Sequence, residues 1–207
     1  MPLIKRGPPT APSTPPVSVS TAKQLASGTP SERWAAARAL GQDETAVALL
    51  AGALGTEQAS DVREAIFTSL VLIHTSEAAA ALASIIRSDD AQLRTGALDA
   101  LSAVMDVARP FLPGLLSDPD PDVRLLACEL ARALEPSDGA DLLCTMLTTE
   151  QQPNVCGAAV DVLSEIGADS VVDVLKKCAE RFAEDPFLEY AIAEAIERAS
   201  KRPARNE

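Results

Sequence analysis

Small and apolar side chains recur at helical spacing through most of the chain, in units of about 31 residues. Each unit has a shorter apolar segment, a polar turn and then a longer segment rich in alanine. When the units are aligned, one position recurs at steps of 30 to 33 residues, and it is occupied by Arg33, Arg63, Arg94, Arg124, Cys156 and Glu189. Periods of this size are typical of solenoids and arrays. The pattern therefore predicts a repeat protein.

The longer segment of each unit has the periodicity of an amphipathic helix. Counted from the aligned residue, offsets +2, +3, +6 and +7 are small or apolar in nearly every unit; in the third unit they are Gly96, Ala97, Ala100 and Leu101. This spacing forms one stripe along a helix. With the shorter segment as its partner, each unit becomes a helical hairpin. We therefore predict an all-α fold over residues 21–200, a right-handed α-solenoid of about six helical hairpins.

Proline and glycine mark the predicted helix ends. Four prolines stand at or near the first turn of a long helix, where a missing N–H costs nothing; they are Pro30, Pro121, Pro153 and Pro186. Glycines after apolar runs predict left-handed residues at helix ends, at Gly41, Gly55 and Gly167. Pro110 and Pro113 fall inside the first helix of the fourth unit. We expect that helix to start late, near Pro110, or to bend.

Both ends of the chain differ from the repeats in composition. Residues 1–20 hold six prolines among Ser, Thr and Gly, which predicts a disordered N-terminal segment. Pro9 to Pro12 match the PxxP pattern of a peptide ligand, although a plain linker is the favoured interpretation. Residues 201–207 form a basic C-terminal tail.

Composition and charge narrow the function. Hydrophobic residues make up 47% of the chain but aromatic residues only 3%, so the core must be built from Ala, Leu, Val and Ile. The formal net charge is −12, and a body this acidic repels nucleic acid and anionic lipid. No signal peptide is visible, and no stretch approaches the ~20 apolar residues of a membrane span. We expect a cytoplasmic, monomeric protein with neither nucleic acid nor a membrane as partner.

The residues needed for catalysis or metal binding are scarce. The four cysteines contain no CxxC pair, and all fall on predicted helices, which favours buried thiols over a metal site; they are Cys128, Cys144, Cys156 and Cys178. The single histidine, His74, ends the long helix of the second unit. A nucleophile needs a base beside it, and His74 is the only candidate. We therefore expect no enzyme activity, metal or cofactor.

The stretch from Asp120 to Leu134 resembles the second helix of a HEAT repeat, and more closely the short bacterial form shared with phycobiliprotein lyase subunits. The resemblance covers residues 21–200. It implies a HEAT-like superhelix in which aligned Asp and Arg residues of neighbouring repeats stack as a polar ladder. The residues implied are Asp61 with Arg63, Asp90 with Arg94, and Asp120 or Asp122 with Arg124. Their expected role is structural, because Asp at a helix start accepts unpaired backbone N–H groups.

Offset +5 of the long helices faces away from the apolar stripe. Four successive repeats carry a carboxylate there, which we call the acidic column: Asp99, Glu129, Asp161 and Glu194. Second helices of such arrays usually line the concave side, so we expect the column on the inner surface. Leu125 and Tyr190 are predicted to be exposed beside it, a mixture that suits a protein partner with a basic surface. The alternative is that these carboxylates are solvated charges that keep the solenoid soluble.

Two functions follow from these observations. The first is a non-catalytic scaffold or adaptor that binds a protein partner along the concave face. The resemblance also permits a subunit of a bilin lyase, or a chaperone that handles tetrapyrroles.

Overall fold

The computed structural model describes residues 18–166 and 171–201, with only the backbone described for Ser200 and Lys201. The predicted disordered segment before residue 18, the predicted turn at Gly167 and the tail after residue 201 lie outside these ranges. All regular secondary structure in the described ranges is helical. The chain divides after Ile73 into two compact units, unit 1 before that point and unit 2 after it.

Unit 1 contains two helical hairpins. Its helices are α1 (Val19–Ser27), α2 (Pro30–Leu40), α3 (Val47–Leu54) and α4 (Ser60–Ile73), with a 3-10 turn at Glu44–Ala46 before α3. α1 packs against α2 and α3 against α4, while α2 and α4, the second helices of the hairpins, pack side by side. Leu50, Ile66 and Leu70 are fully buried between them. The first helix begins at Val19, so the last two residues of the predicted disordered segment are helical.

Gly41 is needed for a close approach between helices rather than for a left-handed turn. Its φ is −67°, and a Cβ there would lie 3.0 Å from Ser69 Oγ on α4. The Ser69 hydroxyl donates to the carbonyl of Ala37 at 2.9 Å, which holds α2 and α4 together at this point. Gly55 has a φ of −64°. The prediction of left-handed residues at Gly41 and Gly55 was wrong, because both helix ends close with right-handed geometry.

Unit 2 contains four helical hairpins. Its helices are α5 (Ser76–Ile85), α6 (Ala91–Ala103), α7 (Met105–Ala108), α8 (Leu112–Leu116), α9 (Pro121–Leu130), α10 (Pro136–Leu147), α11 (Pro153–Ile166), α12 (Val172–Arg181) and α13 (Pro186–Lys201). The second helices α6, α9, α11 and α13 pack in series, and the first helices α5, α8, α10 and α12 each cover the second helix of their own hairpin. With unit 1, the described residues therefore form six hairpins, and the predicted all-α solenoid class is confirmed.

The first helix of the fourth hairpin is broken, as its prolines predict. It starts early, at Met105, passes through a 3-10 turn at Arg109–Phe111 and resumes at Leu112. Pro110 lies in the 3-10 turn and Pro113 in the first turn of α8, where the absent N–H is tolerated. The four prolines predicted at helix starts are each the first residue of α2, α9, α11 or α13.

The predicted apolar stripe is the buried face of the second helices. In α6, Ala97, Ala100 and Leu101 are buried, at offsets +3, +6 and +7. Offset +2 is only half-buried in the later repeats, for example at Gly96. The sequence pattern missed one buried position, the residue before the aligned one, which is Val62, Leu93, Val123, Val155 and Leu188 in successive repeats.

Candidate functional site: the repeat joints and the acidic face

The aligned residue of the first five repeats binds the turn inside its own repeat. Each side chain donates to a backbone carbonyl in the turn between the two helices: Arg33 to Gly28, Arg63 to Glu57, Arg94 to Ser88, Arg124 to Asp118 and Cys156 to Glu150. The arginine contacts measure 2.7–2.8 Å and the thiol contact 3.9 Å. The aligned residue therefore fixes the geometry of its hairpin, which is a structural role.

Two of these arginines also bind a carboxylate of the following repeat. Arg124 Nε and Nη2 lie 2.7 Å and 2.9 Å from the carboxylate oxygens of Glu150. Arg33 makes the same two contacts with Glu57, at 2.6 Å and 2.8 Å. Each carboxylate also accepts backbone N–H bonds from the two residues that follow it. The result is a bidentate ion pair, and backbone N–H groups of the turn satisfy the remaining acceptor capacity of the carboxylate.

These buried carboxylates are held in the ionised form. The hydrogen bonds from Arg33 lower the pKa of Glu57 to about 2, although burial opposes the shift. Burial raises the pKa of Glu150, but hydrogen bonds from Arg124 and from two backbone N–H groups outweigh it, so the net shift is downward. Both glutamates are only 6% exposed. Their negative charges therefore pair with groups inside the protein.

A third buried carboxylate is paired in a different way. Asp118 is 7% exposed and binds Arg87 Nε at 2.7 Å, while its other oxygen accepts the backbone N–H of Asp120 at 3.0 Å. Arg87 follows the end of α5 and is not an aligned residue. The joint between the third and fourth repeats thus uses an arginine from the turn that follows the first helix of the hairpin.

The aspartates of the implied ladder lie at helix starts. Asp61 accepts the N–H of Val62, Asp90 accepts those of Gln92 and Leu93, and Asp120 accepts that of Asp122. Asp122 is exposed in the first turn of α9. Arg124 finds its side-chain partner in Glu150 rather than in Asp120 or Asp122. The carboxylates that pair with Arg33 and Arg124, namely Glu57 and Glu150, each lie six residues before the next aligned position.

The position of these paired carboxylates is recognisable in the sequence. Glu57, Asp118 and Glu150 each stand six residues before an aligned residue, namely Arg63, Arg124 and Cys156. An alignment of the turns, as well as of the helices, would have identified this recurrent acidic position.

At the fifth repeat, a thiol replaces the aligned guanidinium. Cys156 holds the aligned position, and Cys178 on α12 is near enough to interact with it electrostatically. Both side chains are fully buried. The neighbouring Cys156 thiol and the Arg181 guanidinium lower the pKa of Cys178, although burial opposes the shift. Arg181 in turn donates to the carbonyl of Leu147 at 2.6 Å, which links the ends of α12 and α10.

The acidic column lies on the second helices of unit 2, one residue on each. Asp99 on α6 and Asp161 on α11 are exposed, and Glu129 on α9 and Glu194 on α13 are half-buried. Because α6, α9, α11 and α13 pack in series, these residues hold equivalent places on neighbouring helices. In unit 1 the same offset is occupied by Arg38 and Thr68, so the acidic character belongs to unit 2.

Arg132 is a cation within this acidic face. Its guanidinium binds Glu129 at 2.9 Å, Asp161 at 2.6 Å and also Glu165. Burial lowers the pKa of Arg132, but hydrogen bonds to the three carboxylates more than reverse this and raise it. Arg198 lies 3.8 Å from Glu194 in the same manner. One arginine among three carboxylates leaves a surplus of negative charge, so the face remains acidic.

Beside the column, α9, α11 and α13 form an apolar groove of about 400 Å³. Its lining consists of six apolar residues and two polar ones, Asn154 and Asp185; the apolar residues are Leu125, Pro153, Gly157, Phe187, Leu188 and Ala191. Tyr190 is 68% exposed, as predicted. Leu125 was predicted to be exposed and is instead half-buried, because it forms one wall of the groove.

Nothing in the described ranges resembles a metal centre: no group of three or more His, Cys, Asp or Glu side chains lies together there. His74 Nε2 contacts Asp106 Oδ1 at 3.1 Å, and both side chains are largely exposed. His74 also has a φ of 52°, in the left-handed region, where α4 ends. No helix in the described ranges has the length and apolar character needed to cross a bilayer.

The described residues form helical hairpins in which an aligned arginine repeatedly binds a carbonyl of its own turn. This arrangement is that of an α-solenoid repeat protein. A sequence profile of HEAT repeats matches residues 20–102 and 108–198. The chain therefore belongs to the HEAT-repeat family, whose fold is typical of protein-interaction scaffolds. A search of curated proteins finds no match.

Several solved structures are similar to this chain. A chain from a study of microtubule plus-end tracking by XMAP215, CLIP-170 and EB1 has a TM-score of 0.57 at 15% identity, covering 88% of this chain and 91% of that one. The archaeal HEAT-like repeats protein from Thermococcus onnurineus NA1 has a TM-score of 0.48 at 18% identity, with 87% and 85% covered. The CpcE–CpcF complex of phycocyanin lyase from Nostoc sp. PCC7120 has a TM-score of 0.31 at 20% identity, with 96% and 100% covered. The first likeness concerns the fold alone, and the other two support neither a fold nor a function.

Proposed function

We propose that the protein is a non-catalytic scaffold or adaptor, and that unit 2 binds a protein partner with a basic surface. The observation that carries the proposal is the acidic column, with one carboxylate at the same place on each of four successive second helices. Stacked helices lie roughly 10 Å apart. Such a row suits a partner that presents several Lys or Arg side chains in sequence.

The arginines beside the acidic column do not neutralise its negative charge. Arg132 binds Glu129 and Asp161 from one side, yet the side chain of Asp161 keeps 64% of its surface exposed. Glu194 is 41% exposed beside its arginine. Asp99 is exposed on α6. Surplus negative charge on an exposed face accelerates association with a basic partner and makes binding sensitive to salt.

A randomised linear peptide library, selected on the immobilised protein at low ionic strength, tests the proposal without a known partner. We expect Lys and Arg to be enriched in the peptides recovered. The test variant is Asp99→Lys combined with Glu194→Lys, which reverses the two ends of the column and spares the Arg132 contacts. This variant should lose the enrichment.

The matched control is Glu77→Lys combined with Asp141→Lys. Both residues are exposed on first helices, so the net charge changes by the same amount on the other layer of unit 2. The control should retain the wild-type enrichment. A selection without basic enrichment, or equal loss in both variants, would mean that the column is a solvated face.

A further inference from the structure

Electrostatic attraction to a basic partner does not account for the apolar groove beside the acidic column. Phe187 at its edge is 87% exposed and nearby Tyr190 is 68% exposed. Large aromatic side chains this exposed, next to a depression whose lining is mostly apolar, are typical of protein-interaction sites. The groove spans α9, α11 and α13, which carry Glu129, Asp161 and Glu194 of the column.

We infer that this groove receives an apolar side chain of the partner, in an extended segment that also carries Lys or Arg near that side chain. The inference rests on the proposed function and specifies the chemistry of the partner. Charge complementarity selects this occupant: the lining itself contains the carboxylate of Asp185, and α9, α11 and α13, which form the groove, each carry one carboxylate of the column.

The distance between the apolar and acidic parts sets the spacing in the partner. Glu129 follows Leu125 by four residues on α9, and Asp161 follows Gly157 by four residues on α11. This separation is about one helical turn, or ~5.4 Å along the axis. An extended peptide advances ~3.3 Å per residue, and alternate side chains point to the same side. The basic residue should therefore lie two positions from the apolar one.

A larger residue in place of Gly157 would fill the groove without disturbing the fold. Gly157 lies inside α11, and a Cβ at this position would meet no heavy atom of a neighbouring element within 4 Å. Packing within the protein therefore does not require glycine here, and a larger side chain would project into the groove. Gly114 on α8 is equally open but belongs to the layer of first helices, which makes it a matched control.

The experiment measures the dissociation constants of library-selected peptides for the wild-type protein, Gly157→Leu and Gly114→Leu. We expect the selected peptides to share an apolar residue two positions from Lys or Arg. Gly157→Leu should weaken their binding about tenfold or more, since it fills the place of a buried anchor. Gly114→Leu should bind as the wild type does. Circular dichroism should show the same helix content in all three proteins.

The two proposals fail in different ways. If Gly157→Leu binds the peptides as tightly as the wild type while the column reversal abolishes binding, the groove is not the anchor site and the proposed function stands. If the column reversal has no effect on the selected peptides, the proposed function fails, whatever the result at Gly157. Selected peptides without a recurrent apolar residue would also overturn the groove inference.

Discussion

At the scale of single residues, two kinds of buried side chain hold the repeats together. Leucine, isoleucine and alanine fill the space between helices, where their transfer from water supplies the main stabilisation. Glu57 and Glu150 are equally buried but ionised, and each is tolerated because an arginine and two backbone N–H groups satisfy it. Exposed charges such as Asp99 carry no comparable constraint.

The apolar contribution can be measured at Leu101. This side chain is fully buried on α6, so Leu101→Ala should cost about 2–5 kcal/mol in the free energy of unfolding. Asp99→Ala, on the exposed side of the same helix, should change it by less than about 0.5 kcal/mol. Urea unfolding followed by circular dichroism measures both. Similar losses in the two variants would show that the assigned helix face is wrong.

The ionic contribution can be measured at Glu57 through its pH dependence. A carboxylate whose folded pKa is lowered to about 2, from an ordinary 4.5, stabilises the fold fully above pH 4.5 and loses that contribution as the pH falls towards 2. Glu57→Gln should therefore cost up to roughly 3 kcal/mol at neutral pH. The difference between wild type and variant should shrink as the pH falls below 4.5. A difference that stays constant from pH 7 to pH 3 would contradict this account.

Thiol reactivity should follow burial. Burial raises the pKa of both Cys144 and Cys128, but Cys144 is only half-buried, whereas Cys128 is fully buried and its pKa rises to about 12. Under native conditions an alkylating reagent should modify Cys144 first, and Cys128 should react only when the protein unfolds. Mass spectrometry of digested, partly labelled protein identifies the sites. Early labelling of Cys128 would contradict its placement in the core.

At the scale of helices, arginines perform two different tasks. Arg124 joins α9 to the turn before α11 through a buried carboxylate, while Arg132 joins α9 to α11 through carboxylates on the surface. The first contact is shielded from water and salt, and the second is exposed to both. This distinction decides how much each contact contributes.

The two arginines should therefore respond differently to replacement. Arg124→Ala leaves Glu150 buried without its cation and should cost about 3–5 kcal/mol. Arg132→Ala removes a surface network and should cost about 1 kcal/mol or less at low salt, and less still in molar salt. Thermal or urea unfolding at two salt concentrations provides the comparison. A larger loss at Arg132 than at Arg124 would reverse the assignment of joint and surface.

The helical hairpins could be predicted because their pattern is local. The apolar offsets +3, +6 and +7 within one helix identify the buried face, and the prolines at Pro121 and Pro153 mark where helices begin. The partner of Arg124 could not be predicted in this way, since Glu150 stands 26 residues later in a polar turn that looks exposed. Its burial is created by the adjacent repeat. Likewise, Arg132 reaches Asp161 29 residues away, a contact that depends on the register between two hairpins.

At the scale of the molecule, the repeats keep one architecture while the exposed face of the second helices varies. Unit 1 carries Arg38 and Thr68 where unit 2 carries the acidic column. The contact between the aligned residue and its turn recurs in the first five repeats, whereas the exposed face changes in charge and in apolar content. Such a division lets a scaffold acquire a specific surface without altering the contacts that stabilise its fold.

Nuclear magnetic resonance of isotopically labelled protein tests most directly whether the partner binds on the second helices of unit 2. A library-selected peptide rich in Lys and Arg should shift backbone amide signals along α9, α11 and α13, including those of Leu125, Gly157 and Tyr190. Signals from α10 and α12, on the other layer of the same hairpins, should change little. Shifts confined to the first helices, or to residues of unit 1, would contradict the account.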